Sequence, residues 1–274
     1  MKNAKRIVIT GSSRGIGKGL AGELLRRGHH VVISGRTQAS ADAAARELLL
    51  LASGGARVLG VGCEVSQSDQ LQGLWARSVA EFGGVDIWVN NAGISHPRQR
   101  GGEMLSADIR GVEETNLQGM LLATQVALRG MQAQPGGGLI YNMEGFGSNG
   151  MMTPGMSLYG ASKFALTYFT KALLAETGEG PVKVCYLSPG IVLTDLLKRD
   201  MGSNDPKDWE RTKRVYNILA DRVETVTPYL ADGILGNDRA GARVAWLTGR
   251  KAAGRFLMSL FRKRELITDA DLAP

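Results

Sequence analysis

The chain reads as an α/β protein: a single doubly wound domain with a parallel sheet and a C-terminal helical extension. Three observations predict this. Six short apolar runs, at Arg6–Thr10, Val31–Ser34, Arg57–Val61, Val85–Asn90, Gly138–Met143 and Val182–Ser188, alternate with helix-like stretches, the order that lays parallel strands side by side with helices on both faces. A glycine-rich turn follows the first run directly. The clusters Asn90-Asn91 and Ser188-Pro189 close later runs, at the carboxyl edge where such sheets bind ligands. With 274 residues, 43% of them hydrophobic, the chain can bury one sizeable core, and a domain of this size need not divide.

The first run, Arg6-Ile7-Val8-Ile9-Thr10, has the β-branched apolar character of a buried strand. Gly11-Ser12-Ser13-Arg14-Gly15-Ile16-Gly17 then leads into a helical stretch to Arg27. Gly11 permits a tight turn, while Gly15 and Gly17 let a pyrophosphate approach the N–H groups at the positive end of that helix. The spacing departs from the commoner dinucleotide fingerprint, and taken alone it also fits an ordinary loop. The second strand ends in Gly35-Arg36-Thr37, where an NAD-binding chain usually presents a carboxylate to the ribose hydroxyls. Arg36, joined by Arg14, would pair with a 2′-phosphate instead, which favours NADPH over NADH; both arginines also fit solvated surface charges. Gly54-Gly55 and Gly136-Gly137-Gly138 read as turns between elements.

In Ser157-Leu158-Tyr159-Gly160-Ala161-Ser162-Lys163, four-residue spacing puts Tyr159 and Lys163 on one helix face. A nearby ammonium pulls a phenol down from its ordinary pKa of roughly 10, which opens proton chemistry near neutral pH. The bare spacing fits a surface pair just as well. Its company singles it out.

Thr10-Gly11-x3-Gly15-x-Gly17, Asn90-Asn91-Ala92-Gly93, Asn116, Tyr159-x3-Lys163 and Ser188-Pro189-Gly190 together resemble the short-chain dehydrogenase/reductase superfamily, in its order, over residues 6 to about 195. The resemblance implies a Rossmann fold, with an NADP-binding catalytic core over residues 1–200. Residues 201–274 would then supply substrate-side helices and a basic amphipathic extension of the same domain. It also implies roles. Gly11, Ser13, Arg14, Gly15, Ile16, Gly17 and Arg36 would hold the cofactor, Glu64 and Val65 would flank its adenine, and Asn91, Ala92 and Gly93 would support it. Pro189, Gly190, Ile191 and Thr194 would meet the nicotinamide side. Tyr159 would be the acid/base, Lys163 would bind ribose and lower the Tyr159 pKa, and Asn116 would hold a water in the proton relay. Relatives of this fold commonly form dimers or tetramers.

One departure stands out. Asn142-Met143-Glu144-Gly145 occupies the place of the family's Asn-x-Ser-Ser, so the usual catalytic serine is missing. Thirteen residues before Tyr159, the usual distance, stands Phe146, and the nearest hydroxyl is Ser148. Ser148 would bind the substrate carbonyl, or backbone N–H groups of its glycine-rich loop would polarise it, or the segment is a plain loop. The departure narrows the resemblance. Tyr141 to Ser148, Thr153-Pro154, Asp86-Ile87-Trp88-Val89, Asn217-Ile218-Leu219-Ala220 and Leu247-Thr248-Gly249-x-Lys251-Ala252 resemble the chlorophyll(ide) b reductase branch. That branch implies NADPH-dependent reduction of the 7-formyl group of chlorophyll b or chlorophyllide b to 7-hydroxymethyl chlorophyll(ide) a. Two alternatives stay open: an NADPH-dependent carbonyl reductase with another bulky substrate, and a cofactor-binding interaction protein without turnover.

Cys63 and Cys185 lack metal-ligand spacing and read as buried thiols, so no metal site is expected. His29 and His30 fall in a turn, and His96 reads as a solvent-exposed loop residue. With no membrane-spanning apolar stretch and a first strand at Arg6, a cytoplasmic setting is the simplest expectation. The net charge of +7 gathers toward the end. There Phe256, Leu257, Leu260 and Phe261 form one helical face with basic flanks, which fits packing on the domain or on a neighbouring subunit, a peripheral membrane contact or a hydrophobic pigment channel. No nucleic-acid-binding motif accompanies the charge.

Overall fold

In a computed structural model, which describes residues 4–200 and 206–267, the chain builds a seven-stranded sheet. Its strands are β1 (Arg6–Ile9), β2 (His30–Gly35), β3 (Val58–Gly62), β4 (Ile87–Asn90), β5 (Gly138–Met143), β6 (Val182–Ser188) and, after a two-residue pair described below, β9 (Arg243–Ala245). Their order is β3-β2-β1-β4-β5-β6-β9 and every pairing is parallel. The chain therefore reverses direction across the sheet between β1 and β4, which opens a crevice at the carboxyl edge. This is the doubly wound architecture expected.

The helices are α1 (Gly15–Arg26), α2 (Gln38–Leu49), α3 (Ser68–Phe82), α4 (Ser106–Val112), α5 (Gly119–Ala133), α6 (Ser157–Thr177), α7 (Asp195–Asp200), α8 (Pro206–Leu219), α9 (Val223–Gly236) and α10 (Gly249–Met258). A short parallel pair, β7 (Val192–Leu193) with β8 (Asp221–Arg222), lies beside the main sheet. Ile7, Ile9, Val31 and Ile33 pack with Leu20 and Leu24 of α1 and Val226, Leu230 and Ile234 of α9. Val8, Val32 and Trp88 pack with Leu71 and Leu74 of α3 and Ala123 and Ala127 of α5 on the other face. Helix α9 is thus core rather than appendage; the expected division near residue 200 adjoins residues 201–205, outside the described residues.

A buried polar chain sets the register at the centre. Trp88 Nε1 donates to Asn90 Oδ1 (2.7 Å), Asn90 Nδ2 donates to Asn142 Oδ1 and Thr124 Oγ1 (both 2.8 Å), and Asn142 Nδ2 donates to Thr170 Oγ1 (2.9 Å). β4, β5, α5 and α6 are thereby keyed to one another, because any slip would strand a buried donor.

Two expectations are corrected. The seventh strand, β9, was not expected: three residues starting with a charged arginine carry too little pattern to read. The C-terminal helix stops at Met258, so Leu260 and Phe261 lie in the turn beyond it. Their apolar face does not pack on the domain. Leu260 and Phe261 are 76% and 81% exposed. The helix is held through charge instead: Asp221, 4% exposed, accepts from Arg255 (2.7 Å), Arg264 (2.9 Å) and Trp246 Nε1 (2.6 Å).

Candidate active site

The glycine turn is drawn tight by its own polar atoms. Ser12 Oγ donates to Ile9 O (2.6 Å) and accepts from Ser34 N (3.0 Å), while Gly11 N donates to Ser34 Oγ (3.1 Å). Gly11 and Gly15 both have φ near +59°, the left-handed region that glycine enters without a Cβ penalty. A Cβ on Gly11 would lie 2.7 Å from the Ala92 backbone, and one on Gly17 would overlap the Asn91 amide. That amide donates to the carbonyls of Thr10 and Gly11 (both 2.9 Å), tying the loop after β4 to the turn after β1. The turn thus opens α1 with no side-chain cap and no acidic residue in its first turn. Exposed N–H groups at a helix start, backed by glycines where side chains would block approach, fit a dinucleotide pyrophosphate.

One cleft of about 1870 Å³ runs across the carboxyl edge of the sheet. Gly11, Ser13, Arg14, Gly15, Ile16, Arg36, Glu64, Val65, Asn91, Ala92, Gly93, Ser148, Tyr159, Lys163, Pro189, Gly190, Ile191 and Thr194 all line it. Thr194 stands across from the glycine turn, its Cγ2 within 3.6 Å of where a Gly15 side chain would begin. Arg36 is exposed at the end of β2, and Glu47, the carboxylate nearby on α2, is paired with Lys18. Gly17 and Asn116 lie outside the lining. Asn116 lies in a π-helical segment, Glu113–Gln118, between α4 and α5. Its amide accepts from Ile94 N (2.8 Å) and donates to Ile94 O (3.0 Å) and Ser162 Oγ (3.1 Å). It pins the Gly93-Ile94 loop against α6.

Tyr159 and Lys163 are both buried on α6, with the Lys163 Nζ 5.8 Å from the Tyr159 ring centre. Lys163 Nζ donates to Met143 O (3.3 Å). Burial pushes the Lys163 ammonium down to about 8, opposed by the carboxylate of Glu144.

The structure also locates the missing serine's place. Gly145, not Phe146, backs onto Tyr159: a Cβ there would sit 2.6 Å from its Oη. Counting thirteen residues misses it because the connection from β5 to Tyr159 is one residue longer than that count. Ser148 closes the turn behind, its Oγ accepting from Gly145 N (3.0 Å) and donating to Lys163 O (3.5 Å). Gly147 (φ +90°) rests directly on Gly160 of α6, with no room for a side chain at 147.

His96 is a second correction: it is buried, not solvent-exposed. Its Nδ1 lies 2.7 Å from Pro97 O and its Nε2 accepts from Tyr159 N (3.3 Å). With the proton on Nδ1, the ring caps the first turn of α6 and fixes the backbone that carries Tyr159. Its burial was not readable from one histidine in a loop. Arg243 on β9 was also missed, for the reason β9 was. Among the described residues no cluster of His, Cys, Asp and Glu is suited to hold a metal ion, and both cysteines are buried, burial pushing Cys63 up to about 12.

A glycine turn that fits a pyrophosphate, a tyrosine and lysine on one helix, and a doubly wound parallel sheet are together the pattern of the short-chain dehydrogenases. The chain belongs to the short chain dehydrogenase family, whose model matches residues 5–204. Among curated relatives, a protein of Oryza sativa subsp. japonica named probable chlorophyll(ide) b reductase NYC1, chloroplastic, is 36% identical over 262 residues, covering 89% of this chain and 50% of that one. The chloroplastic chlorophyll(ide) b reductase NOL of Arabidopsis thaliana is 35% identical, covering 90% and 71%. Carbonyl reductase family member 4 of Xenopus laevis is 34% identical, covering 72% and 80%. The chain thus spans about half the length of the NYC1 relatives. Among solved structures, a short-chain type dehydrogenase/reductase from Mycobacterium marinum matches with TM-score 0.76 and 29% identity, covering 90% of this chain and 95% of that one. A short chain dehydrogenase from Burkholderia cenocepacia J2315 in complex with NADP matches with TM-score 0.73 and 27% identity, covering 88% and 95%. No helix among the described residues is long and apolar enough to cross a membrane.

Proposed function

We propose that this protein reduces the 7-formyl group of chlorophyll b or chlorophyllide b to a 7-hydroxymethyl group, with NADPH as donor. The observation that carries the reading is the extent of similarity: relatives named as chlorophyll(ide) b reductases align over 89% to 97% of the chain, against 72% for the Xenopus laevis carbonyl reductase. The cleft supports it. Beyond the cofactor positions its lining includes Phe146, Met151, Met152, Leu197, Val215 and Leu219, with Arg98, Asn149, Arg211 and Thr212 among them, apolar surface with adaptable methionines and a few polar groups that suits a flat macrocycle.

NADPH, when bound, supplies the hydride that the formyl carbon takes up. Gly11, Gly15 and the start of α1 hold its pyrophosphate, and Arg36 meets its 2′-phosphate at a turn without a carboxylate. Tyr159 gives the carbonyl oxygen its proton. Gly145 leaves room for that oxygen beside the Tyr159 hydroxyl, and Lys163 holds the ribose. Two surfaces extend the reading. Phe164 and Tyr168 on α6, Ile109 on the adjoining α4 and Leu105 just before it are all exposed, and a second copy of the chain covers them. Phe256, Leu257, Leu260 and Phe261, flanked by Arg250, Lys251, Arg262 and Lys263, rest on an anionic membrane surface beside the cleft wall, where Ala252 of the same helix lies.

The test is incubation of purified protein with chlorophyll b and chlorophyllide b, with NADPH or NADH, and chromatography of the pigments; Tyr159→Phe serves as the blank. Formation of the 7-hydroxymethyl product with NADPH is the expected result. Bound NADPH without pigment conversion would transfer the assignment to a carbonyl reductase with another bulky substrate, the reading that the Xenopus laevis relative favours.

A further inference from the structure

Glu144 lines the cleft, and no step described so far uses it. Its side chain is only 6% exposed. Four elements surround it. Its N–H donates to Leu187 O of β6 (2.8 Å), which fixes it just past the end of β5 and beside Ser188. From β9, Arg243 brings a guanidinium to 3.1 Å from Oε1 while lying over the Tyr186 ring. That contact is within ion-pair distance but misses hydrogen-bond geometry, so Oε1 is buried without a hydrogen bond.

From α6 comes Lys163. Both neighbours of Glu144 touch it: the Met143 carbonyl accepts from Nζ, and a Cβ on Gly145 would lie 3.2 Å from Cε. The opposite wall offers Lys163 no charge. A Cβ on Gly93 would lie 3.7 Å from Nζ and 3.4 Å from Asn116 Oδ1; Tyr159 and Tyr186 are the other titratable groups facing the pair. Burial raises Glu144 against Arg243, Ser188 and Lys163, which lower it, and Glu144 is the group that opposes the effect of burial on Lys163. A buried ammonium without an anion would lose its charge.

We propose that Glu144 is a positioning residue for the Lys163 ammonium: it stands at the end of β5 between the two residues that touch Lys163, with Arg243 of β9 at its carboxylate. It acts on Lys163 and does not touch the substrate. The inference rests on the reading that Lys163 holds the ribose of the cofactor, and it is independent of the pigment.

The test is NADPH affinity, read by quenching of protein fluorescence, as a function of pH. In the native protein affinity weakens as pH rises through about 8, where Lys163 loses its charge. In Glu144→Gln that limb moves down by about one pH unit, which reads as roughly a five-fold loss of affinity at pH 8 and little loss at pH 6. Glu144→Asp keeps the limb near its native position. If Glu144→Gln does not fold, Glu144→Ser removes the same charge and leaves Arg243, half exposed, to water. A limb at the same pH with and without the carboxylate, or affinity independent of pH in both proteins, overturns the proposal. A limb that moves in a protein that leaves chlorophyll b untouched upholds it and fails only the substrate assignment.

Discussion

Gly145→Ala tests the geometry at the reacting centre most directly. The added methyl would begin 2.6 Å from Tyr159 Oη and 3.2 Å from Lys163 Cε, whereas ordinary contact starts at 3.4 Å. The tyrosine tip must therefore retreat by about 0.8 Å, since carbon and oxygen cannot share that space. Its helix cannot follow freely, because His96 holds the Tyr159 N–H and Asn116 holds Ser162. Misplacement of a proton donor on this scale costs on the order of 100-fold in turnover. We expect kcat for NADPH-dependent carbonyl reduction, followed at the cofactor's absorbance, to fall between about ten- and 100-fold. NADPH affinity should stay within about two-fold, because the cradle at Gly11 to Gly17 is untouched. Gly145→Ser should behave likewise, although a serine is the usual residue of the family there. Turnover equal to or above the native rate in either variant would refute the argument that Gly145 makes room for the tyrosine.

Arg36→Asp should reverse cofactor preference, lowering the ratio of kcat/KM for NADPH over NADH on the order of 100-fold; an unchanged ratio would remove Arg36 from the phosphate site. Asp221 gives a pH-dependent prediction. Burial raises its carboxyl, but Trp246, Arg255 and Arg264 outweigh this and hold it below the usual range. A depressed folded value stabilises above the unfolded pKa of about 3.9 and is lost as pH falls through the folded one. Asp221→Asn should cost on the order of 3 kcal/mol at pH 7, with the gap to the native protein closing below pH 3 in thermal melts; a gap constant with pH would mean the charge contributes nothing. Phe261→Asp with Leu260→Asp should weaken sedimentation with phosphatidylglycerol vesicles on the order of ten-fold, with reduction of a water-soluble carbonyl unaffected. Equal binding would exclude the tail as a membrane contact.

The parts legible in sequence were those carried by local pattern. Buried parallel strands are continuous apolar runs, so β1, β2, β5 and β6 announced themselves, and glycines with positive φ marked the cradle. What stayed hidden depends on contacts between distant residues. Arg243 meets Glu144 99 positions earlier, through a strand too short to show a period. His96 looked exposed because its burial comes from packing against the start of α6. The count from Tyr159 missed Gly145 because loop length is free to vary while the end of a strand is not. Exposed Leu260 and Phe261 followed the right composition with the wrong partner, since an amphipathic pattern states that a face is apolar and not what covers it.

The keyed polar chain through Trp88, Asn90, Asn142 and Thr170 has a consequence for descent. No member of it can change alone without leaving a buried donor or acceptor unmatched, so drift along β4 and β5 is confined to concerted replacements. The lock ends at Asn142. Positions 144 and 145 lie just past β5 and outside the lock. Their side chains can be exchanged without stranding any of its members, so new chemistry can be tried at the place where the tyrosine and lysine will meet it.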